Sequence, residues 1–154
     1  MTLVVRRARV EETFPLRHAV LRPGRPVTAS VYAEDQSAVN IGAWADDVLV
    51  GCATFFPDPW AGGPDEPPEP AAWRLRGMAV EPTRQRGGVG RRVLEAGVDA
   101  AREAGAPLLW ANARTAALPF YEAQGWRVAG PEFITADTGL PHKPIVLRLD
   151  KRVD

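Results

Sequence analysis

The chain has 154 residues, 45% hydrophobic and 25% charged, which is typical of one globular domain and excludes collagen-like and disordered classes. Nineteen Lys and Arg residues balance nineteen Asp and Glu residues, and this zero net charge argues against nucleic acid or an anionic membrane as the main partner. No apolar run approaches the roughly 18 residues of a membrane span, and no signal-peptide pattern is present. The single cysteine, Cys52, permits neither an internal disulfide nor a zinc site. We therefore expect one domain over residues 1–154, in the cytoplasm and without a metal.

The first half of the chain predicts a strand, a helix and a hairpin. Residues 2–9 are β-branched and apolar at their start, and residues 11–21 follow with the spacing of a short helix. An antiparallel hairpin is predicted from residues 38–44 and 48–56 around an Asp46-Asp47 turn. The next segment, 57–72, holds six prolines and four acids, which predicts a long loop that is functional or mobile.

The second half alternates strands and helices. A strand over residues 73–80 runs into the turn Gly87-Gly88-Val89-Gly90, which opens a helix that Gly105 and Pro107 end. Further elements are predicted at 108–113 (strand), 116–124 (helix), 126–128 (strand) and 145–149 (strand). This order indicates an α+β or mixed α/β sheet with at least one crossover.

Charge is distributed unevenly despite the zero total. Eight acids and no Lys or Arg lie between Pro26 and Trp73, whereas four arginines and no acid lie between Pro82 and Leu94. The second region therefore suits an anionic ligand and the first a cationic one, unless both are simply solvated surfaces.

The glycine turn is the strongest chemical signal from the residues alone. A strand that leads through glycines into a helix presents free backbone N–H groups and the positive end of the helix dipole, and both attract phosphate. The turn lacks the Lys-Ser/Thr ending of a Walker A loop, and no G-x-G-x-x-G occurs. A pyrophosphate site is expected here, the alternative being glycines that only make a tight turn.

Two ordered motifs carry a family resemblance. Gln85-Arg86-Gly87-Gly88-Val89-Gly90 satisfies the signature Q/R-x-x-G-x-G/A, and Ala117-Leu118-Pro119-Phe120-Tyr121-Glu122-Ala123-Gln124-Gly125-Trp126 resembles A-x-x-F-Y-E-x-x-G-F. Both are similar to segments of the GNAT superfamily of acyl-CoA-dependent N-acetyltransferases, and together they cover about residues 73–130. The late Pro141-His142 pair is similar to the ElaA-like branch of that superfamily.

The resemblance implies a fold and a cosubstrate. The fold is an α/β (α+β) one: a central mixed, mostly antiparallel twisted sheet, helices on both faces, and a splayed strand pair that holds the cofactor. The cosubstrate is acetyl-CoA, its pantetheine paired with the backbone of the 73–80 strand and its pyrophosphate on the glycine turn. The implied cofactor-binding residues are Met78, Ala79, Val80, Gln85, Arg86, Gly87, Gly88, Val89, Gly90 and Arg91. Arg114 stands where the family often has asparagine, so Asn112 is the substitute candidate, or else it makes an ordinary strand-end hydrogen bond.

The resemblance also implies an activity, the transfer of an acetyl group from acetyl-CoA to a primary amine of a small molecule or peptide. Tyr121 occupies the position of the family's general acid, the alternative being a packing role on an amphipathic helix. The strand 108–113 carries no carboxylate base, which leaves ordered water or His142, unless that histidine is a solvated loop residue. The competing hypothesis is a CoA-binding or regulatory module of the same fold without turnover.

The acceptor is open at the level of sequence. The acidic loop with Trp60 and Trp73 suits a cationic amine, whereas Arg22 and Arg25 suit an acceptor with a carboxylate. Relatives often pair through their C-terminal strands, which implies a possible homodimer through residues 145–149.

Overall fold

Eight strands and three α-helices make up the part of the chain that the structure, a computed structural model, describes, namely residues 2–149. In chain order they are β1 (Leu3–Arg7), α1 (Val10–Leu21), β2 (Val39–Ala45), β3 (Val48–Pro57), β4 (Trp73–Val80), α2 (Val89–Glu103), β5 (Leu108–Arg114), α3 (Leu118–Ala123), β6 (Arg127–Val128), β7 (Phe133–Ile134) and β8 (Pro141–Arg148). Short 3₁₀ turns occupy Val27–Ser30, Asp35–Ser37, Pro82–Arg84 and Thr115–Ala117. The predicted order of elements is confirmed.

Two differences concern the end of the chain. The structure adds the two-residue strand β7, and it begins the last strand at Pro141, where the sequence predicts a beginning at Ile145. Proline lacks an N–H and is typical of turns, so Pro141 and Pro144 hide the first half of β8 from a sequence pattern. The carbonyl of Pro144 nevertheless accepts a 2.8 Å hydrogen bond from the Ala129 N–H, so the strand is paired there.

The described chain divides into two compact units, residues 2–56 with 75–100 and residues 57–74 with 101–149. In the first unit β1 pairs with β2, and β2 with β3, both antiparallel, and β4 follows β3 in the sheet order. In the second unit the first two residues of β4 pair in parallel with Leu109 and Trp110 of β5, and β8 pairs antiparallel with β5, β6 and β7. The strand order β1-β2-β3-β4-β5-β8-β6, with β7 beside β8, is the mixed and mostly antiparallel sheet that was expected.

Both faces of β3 are covered by helices of the first unit. Successive side chains of a strand point to opposite faces, so Gly51 and Cys52 face different helices. A Cβ added at Gly51 would lie 2.7 Å from Val89 of α2, whereas Cys52 packs in a cluster with Leu16 of α1. The expectation of helices on both faces is confirmed for this unit.

In the second unit the segment between β3 and β4, residues 58–72, is held in an ordered conformation by bridges between its own residues. Trp60 and Glu69 form an isolated antiparallel bridge, and a second bridge joins Gly63 and Glu66. The Trp60 side chain is buried in a cluster with Ala72, Leu108, Ala129 and Val146. The predicted loop is therefore an ordered segment, which we call the strap, because Trp60 and Ala72 pack in the core of the second unit.

Two further findings concern the described residues as a whole. Their helices include none that is both long enough and apolar enough to cross a membrane. Their His, Cys, Asp and Glu side chains form no group of three or more that is arranged to hold a metal ion. The expectation of one domain over residues 1–154 stays a prediction.

A substitution at Gly97 of α2 can test the close contact between this helix and β3. A Cβ at Gly97 would lie 1.9 Å from Cζ of the fully buried Phe55, so the helix approaches β3 through this glycine. We expect Gly97→Ala to destabilise the protein by about 1–3 kcal/mol in urea unfolding, although alanine favours a helix over glycine by about 1 kcal/mol. Glu103→Ala, at an exposed position of the same helix, is the control and should change stability by less than about 0.5 kcal/mol. Equal effects of the two substitutions would contradict the close approach.

Candidate active site

The end of β4 leads directly into the turn that opens α2. Gly77 interrupts the regular strand with a φ of +69°, and the three residues Met78, Ala79 and Val80 complete it. The Gln85 side chain donates from Nε2 to the Val80 carbonyl at 3.2 Å, so it ties the turn back to the strand. The predicted cofactor-binding residues of this stretch are therefore brought together in the first unit.

The glycine turn leaves its backbone uncovered. A Cβ added at Gly87 would have the Arg84 carbonyl oxygen as its nearest atom at 3.4 Å, and one added at Gly88 would meet only Arg91 Nη2 at 3.9 Å. Gly88 also has a φ of +87°, a conformation that glycine adopts without strain. Packing does not require these glycines to be small, so their effect is to keep the space beside the backbone open.

This open space lies at the N-terminus of α2, which begins at Val89. The N–H groups of the first helical turn have no acceptor within a helix, and the helix dipole is positive at this end. The Val89 side chain is buried, which fixes the helix start in the first unit. A pyrophosphate therefore fits the residues that are present, because bare donors and positive potential coincide at one place.

The arginines around the turn keep this region positive. Arg91 pairs with Glu95 at 3.1 Å, and Arg92 donates to the Leu3 carbonyl at 3.4 Å. Both arginines are exposed, and an exposed pair of this kind is weak, so neither contact prevents binding of an anion.

Tyr121 lies in α3 and is 6% exposed. Its ring meets Phe120 and Trp126 edge-on, with centroids 5.1 and 5.6 Å apart, and its carbonyl accepts the Gln124 and Trp126 N–H groups that end the helix. Burial raises the pKa of the Tyr121 hydroxyl above its usual value near 10, so the group is protonated at neutral pH. The side chain is thus a fixed proton donor as well as a packing residue.

His142 and Asn112 lie on adjacent strands of the second unit. Asn112 is opposite Pro144 in the register and Arg114 is opposite His142, so Asn112 and His142 are diagonal neighbours on one face. The suggestion of a solvated loop histidine is wrong: His142 is in β8 and 8% exposed, with its ring beside Phe133. Its Nδ1 is 2.9 Å from the Leu140 carbonyl. A carbonyl only accepts, so Nδ1 donates to it, and in the neutral ring Nε2 is then the nitrogen with the lone pair.

Arg17 of α1 is a buried arginine that the sequence analysis did not single out. Its hydrogen bonds connect several segments of the first unit. The Arg17 side chain has no exposure, and its guanidinium holds both carboxylate oxygens of Asp35 at 3.0 Å. It also donates to the Ser30 carbonyl at 2.9 Å and to Thr54 Oγ1 at 2.5 Å. One sequence signal existed: Arg17 follows Val10 by seven residues, which places an arginine on the buried face of α1.

Tyr32 stacks on Arg17, and Arg76, which forms an ion pair with Glu34, stacks on Tyr32. The guanidinium carbons of Arg17 and Arg76 lie 4.2 and 4.0 Å from the centroid of the Tyr32 ring. Both guanidinium groups therefore stack on this one ring. Arg76 Nη1 donates to Glu34 Oε1 at 2.9 Å. The ring also limits Gly77, where a Cβ would lie 2.9 Å from Tyr32 Cε2.

Cys52 is inert in this environment. Its Sγ is fully buried and lies 3.8 Å from the Gly77 carbonyl oxygen. Burial raises the pKa of the thiol to about 12, so the reactive thiolate is scarce at neutral pH. Cys52 therefore acts as a small apolar side chain of the core.

The acidic strap of the second unit is neutralised by the chain itself. Glu66 accepts from Arg127 and Arg148, Glu69 from Arg148 at 2.7 Å, and Asp58 pairs with Arg74 at 3.5 Å. The Trp60 ring is buried, so the suggestion that this strap receives a cationic amine through Trp60 is wrong. Three of its four acids, Asp58, Glu66 and Glu69, and its tryptophan have partners in the fold.

The sequence comparisons identify the family. The pattern of the acetyltransferase (GNAT) family matches residues 8–126 of the chain. The chain belongs to the GNAT family. It is also 30% identical over 135 residues to the uncharacterized N-acetyltransferase YitI of Bacillus subtilis (strain 168), a match that covers 85% of this chain and 87% of that protein.

Solved GNAT structures share the fold. Escherichia coli ElaA superposes with a TM-score of 0.74 at 13% identity, covering 94% of this chain and 99% of its own. The yncA protein of Salmonella typhimurium, solved with its cofactor acetyl-CoA, superposes with a TM-score of 0.71 at 17% identity, covering 100% of this chain and 98% of its own. At such identities the likeness concerns the fold alone.

Asp35 tests whether the buried pair supports this GNAT fold. Replacement of Asp35 by Asn keeps the shape but removes the charge that compensates Arg17, and we expect a loss of about 3–5 kcal/mol in urea unfolding. Glu34→Gln is the matched control, because it removes the neighbouring carboxylate from a partly exposed pair and should cost less than about 1 kcal/mol. A similar loss of unfolding free energy for both variants would show that the buried pair contributes no more to stability than the partly exposed one.

Proposed function

We propose that the chain is an acetyl-CoA-dependent N-acetyltransferase that acetylates a primary amine of a small molecule or peptide. The observation that carries this is the uncovered glycine turn at the N-terminus of α2, directly after β4, in a chain of the GNAT family. A packed glycine turn would support a GNAT fold without a cosubstrate. An open one supports binding of a phosphate group.

The residues from Arg86 to Arg91 would hold the pyrophosphate through backbone N–H groups, and Met78, Ala79 and Val80 would pair through their backbone with the extended pantetheine amides. Acetyl-CoA supplies an acetyl group activated as a thioester. Gln85 acts indirectly in this proposal, because its amide holds the Val80 carbonyl and so fixes the turn. Asn112 is kept as a polar contact for the cosubstrate.

Acetyl transfer to an amine needs a group that donates a proton to the departing thiolate and a group that accepts one from the amine. Tyr121 suits the first role, because a phenol hydroxyl carries a proton at neutral pH and the contacts with Phe120 and Trp126 fix its ring. His142 suits the second, since Nδ1 faces the Leu140 carbonyl and Nε2 is the nitrogen that can accept a proton in the neutral ring. Ordered water is the alternative acceptor of that proton.

We also propose that the protein acts in the cytoplasm, where its one cysteine stays a free thiol. A homodimer through residues 145–149 stays a prediction.

The glycine turn can be tested with a matched pair of substitutions. Gly88 and Gly105 share nearly the same φ, +87° and +88°, and a Cβ has space at both, so Glu at either position imposes similar backbone strain. We expect Gly88→Glu to weaken acetyl-CoA binding at least about tenfold in calorimetric titration, because a carboxylate then occupies the anion site. Gly105→Glu should bind acetyl-CoA like the wild type. Equal affinities of the two variants would contradict the phosphate site.

Tyr121→Phe tests the general acid. The substitution keeps the ring contacts with Phe120 and Trp126 and removes only the hydroxyl. We expect kcat to fall by about 10²–10⁴-fold, the usual contribution of acid–base catalysis, with acetyl-CoA affinity unchanged. The kcat is read from CoA release with an accepted amine. An unchanged kcat would leave Tyr121 with a packing role only.

A further inference from the structure

The ion pair between Arg76 and Glu34, beside Tyr32, uses only part of the hydrogen-bonding capacity of its two side chains. Arg76 donates from Nη1 to Glu34 Oε1 at 2.9 Å, which uses one of the five N–H donors of a guanidinium. The side chains of Arg76 and Glu34 are 33% and 28% exposed, so a ligand can reach the pair from solvent. A cation and an anion with spare hydrogen-bonding capacity therefore stand side by side.

The position of Arg76 is fixed by its packing on Tyr32. The Tyr32 ring stacks with the guanidinium groups of both Arg76 and Arg17, and Arg17 is fixed by the buried Asp35. The Tyr32 N–H itself donates to Asp35 Oδ2 at 2.8 Å. Arg76 thus has a preset position, which lowers the ordering cost of a contact with a ligand.

The pair also lies close to the strand that would hold the thioester. Arg76 precedes Met78 by two residues of β4, which corresponds to about 7 Å along a strand. Tyr32 packs on Gly77, the residue between them. An amine bound at Glu34 therefore lies beside Arg76, two residues before the backbone from Met78 to Val80.

We propose that Arg76 and Glu34 recognise the acceptor and that the acceptor is a free amino acid, its carboxylate on Arg76 and its ammonium on Glu34. The proposal rests on the function proposed above. It decides between the two acceptor classes that the sequence left open. Three of the four acids of the strap are paired within the second unit, whereas the partly exposed Arg76–Glu34 pair offers both charges that an amino acid complements. Opening such a pair costs little, since partly exposed ion pairs are weak.

The test is binding of matched ligands to the full chain, with and without CoA. The twenty amino acids are screened by the shift in thermal unfolding midpoint. Each one that binds is then titrated beside its decarboxylated amine, for example phenylalanine beside phenethylamine. We expect the amino acid to bind at least about tenfold more tightly than the amine, the worth of one charge-assisted hydrogen bond. Arg76→Gln should remove this difference, while Arg7→Gln, at an exposed position of β1, should keep it.

The proposal is overturned if no amino acid binds in either condition, if the amine binds as tightly, or if Arg76→Gln keeps the difference. Glu34→Gln gives a second readout, because it should weaken the amino acid and its amine alike. Acetyl-CoA is titrated in the same preparation. Binding of acetyl-CoA without binding of any amino acid refutes the acceptor class alone, whereas absence of acetyl-CoA binding refutes the proposed function.

Discussion

The buried Arg17–Asp35 pair is the interaction on which the first unit depends. A guanidinium without solvent exposure costs several kcal/mol unless it is paired and hydrogen-bonded. Its partners come from separate segments: α1 carries Arg17, the turns after it carry Ser30 and Asp35, and β3 carries Thr54. One side chain therefore fixes the irregular segment between α1 and β2. Tyr32 and Arg76 take their positions from it, and so does the surface that we propose for the acceptor.

Glycine has two opposite uses around α2. At Gly97, inside the helix, a side chain would collide with Phe55, so the glycine permits close packing of α2 on β3. At Gly87 and Gly88, in the turn before the helix, a side chain would meet open space, so those glycines leave the backbone accessible. The first use belongs to the fold and the second to the candidate site. Motif spacing alone does not separate them, because the sequence shows only that a glycine is present.

The sequence predicted what depends on local pattern and on the two GNAT motifs. The order of strands and helices, the glycine turn and the position of Tyr121 before Gly125 are of this kind. It could not predict contacts that join distant residues. Arg17 meets Thr54 across 37 positions, and Glu66 meets Arg148 across 82, so neither pairing leaves a local signal. His142 was misjudged for a related reason, because prolines disguise β8 as a loop.

Transfer of the acetyl group is the central claim, and it can be measured directly. The full chain is incubated with acetyl-CoA labelled in the acetyl carbon and with amino acids, polyamines and peptide N-termini as separate acceptor sets. We predict that label appears in an amide in one set, with one CoA released per label transferred, and that Tyr121→Phe slows it. Acetyl-CoA that binds while no set gains label above the uncatalysed rate would contradict the account and favour a CoA-binding module without turnover.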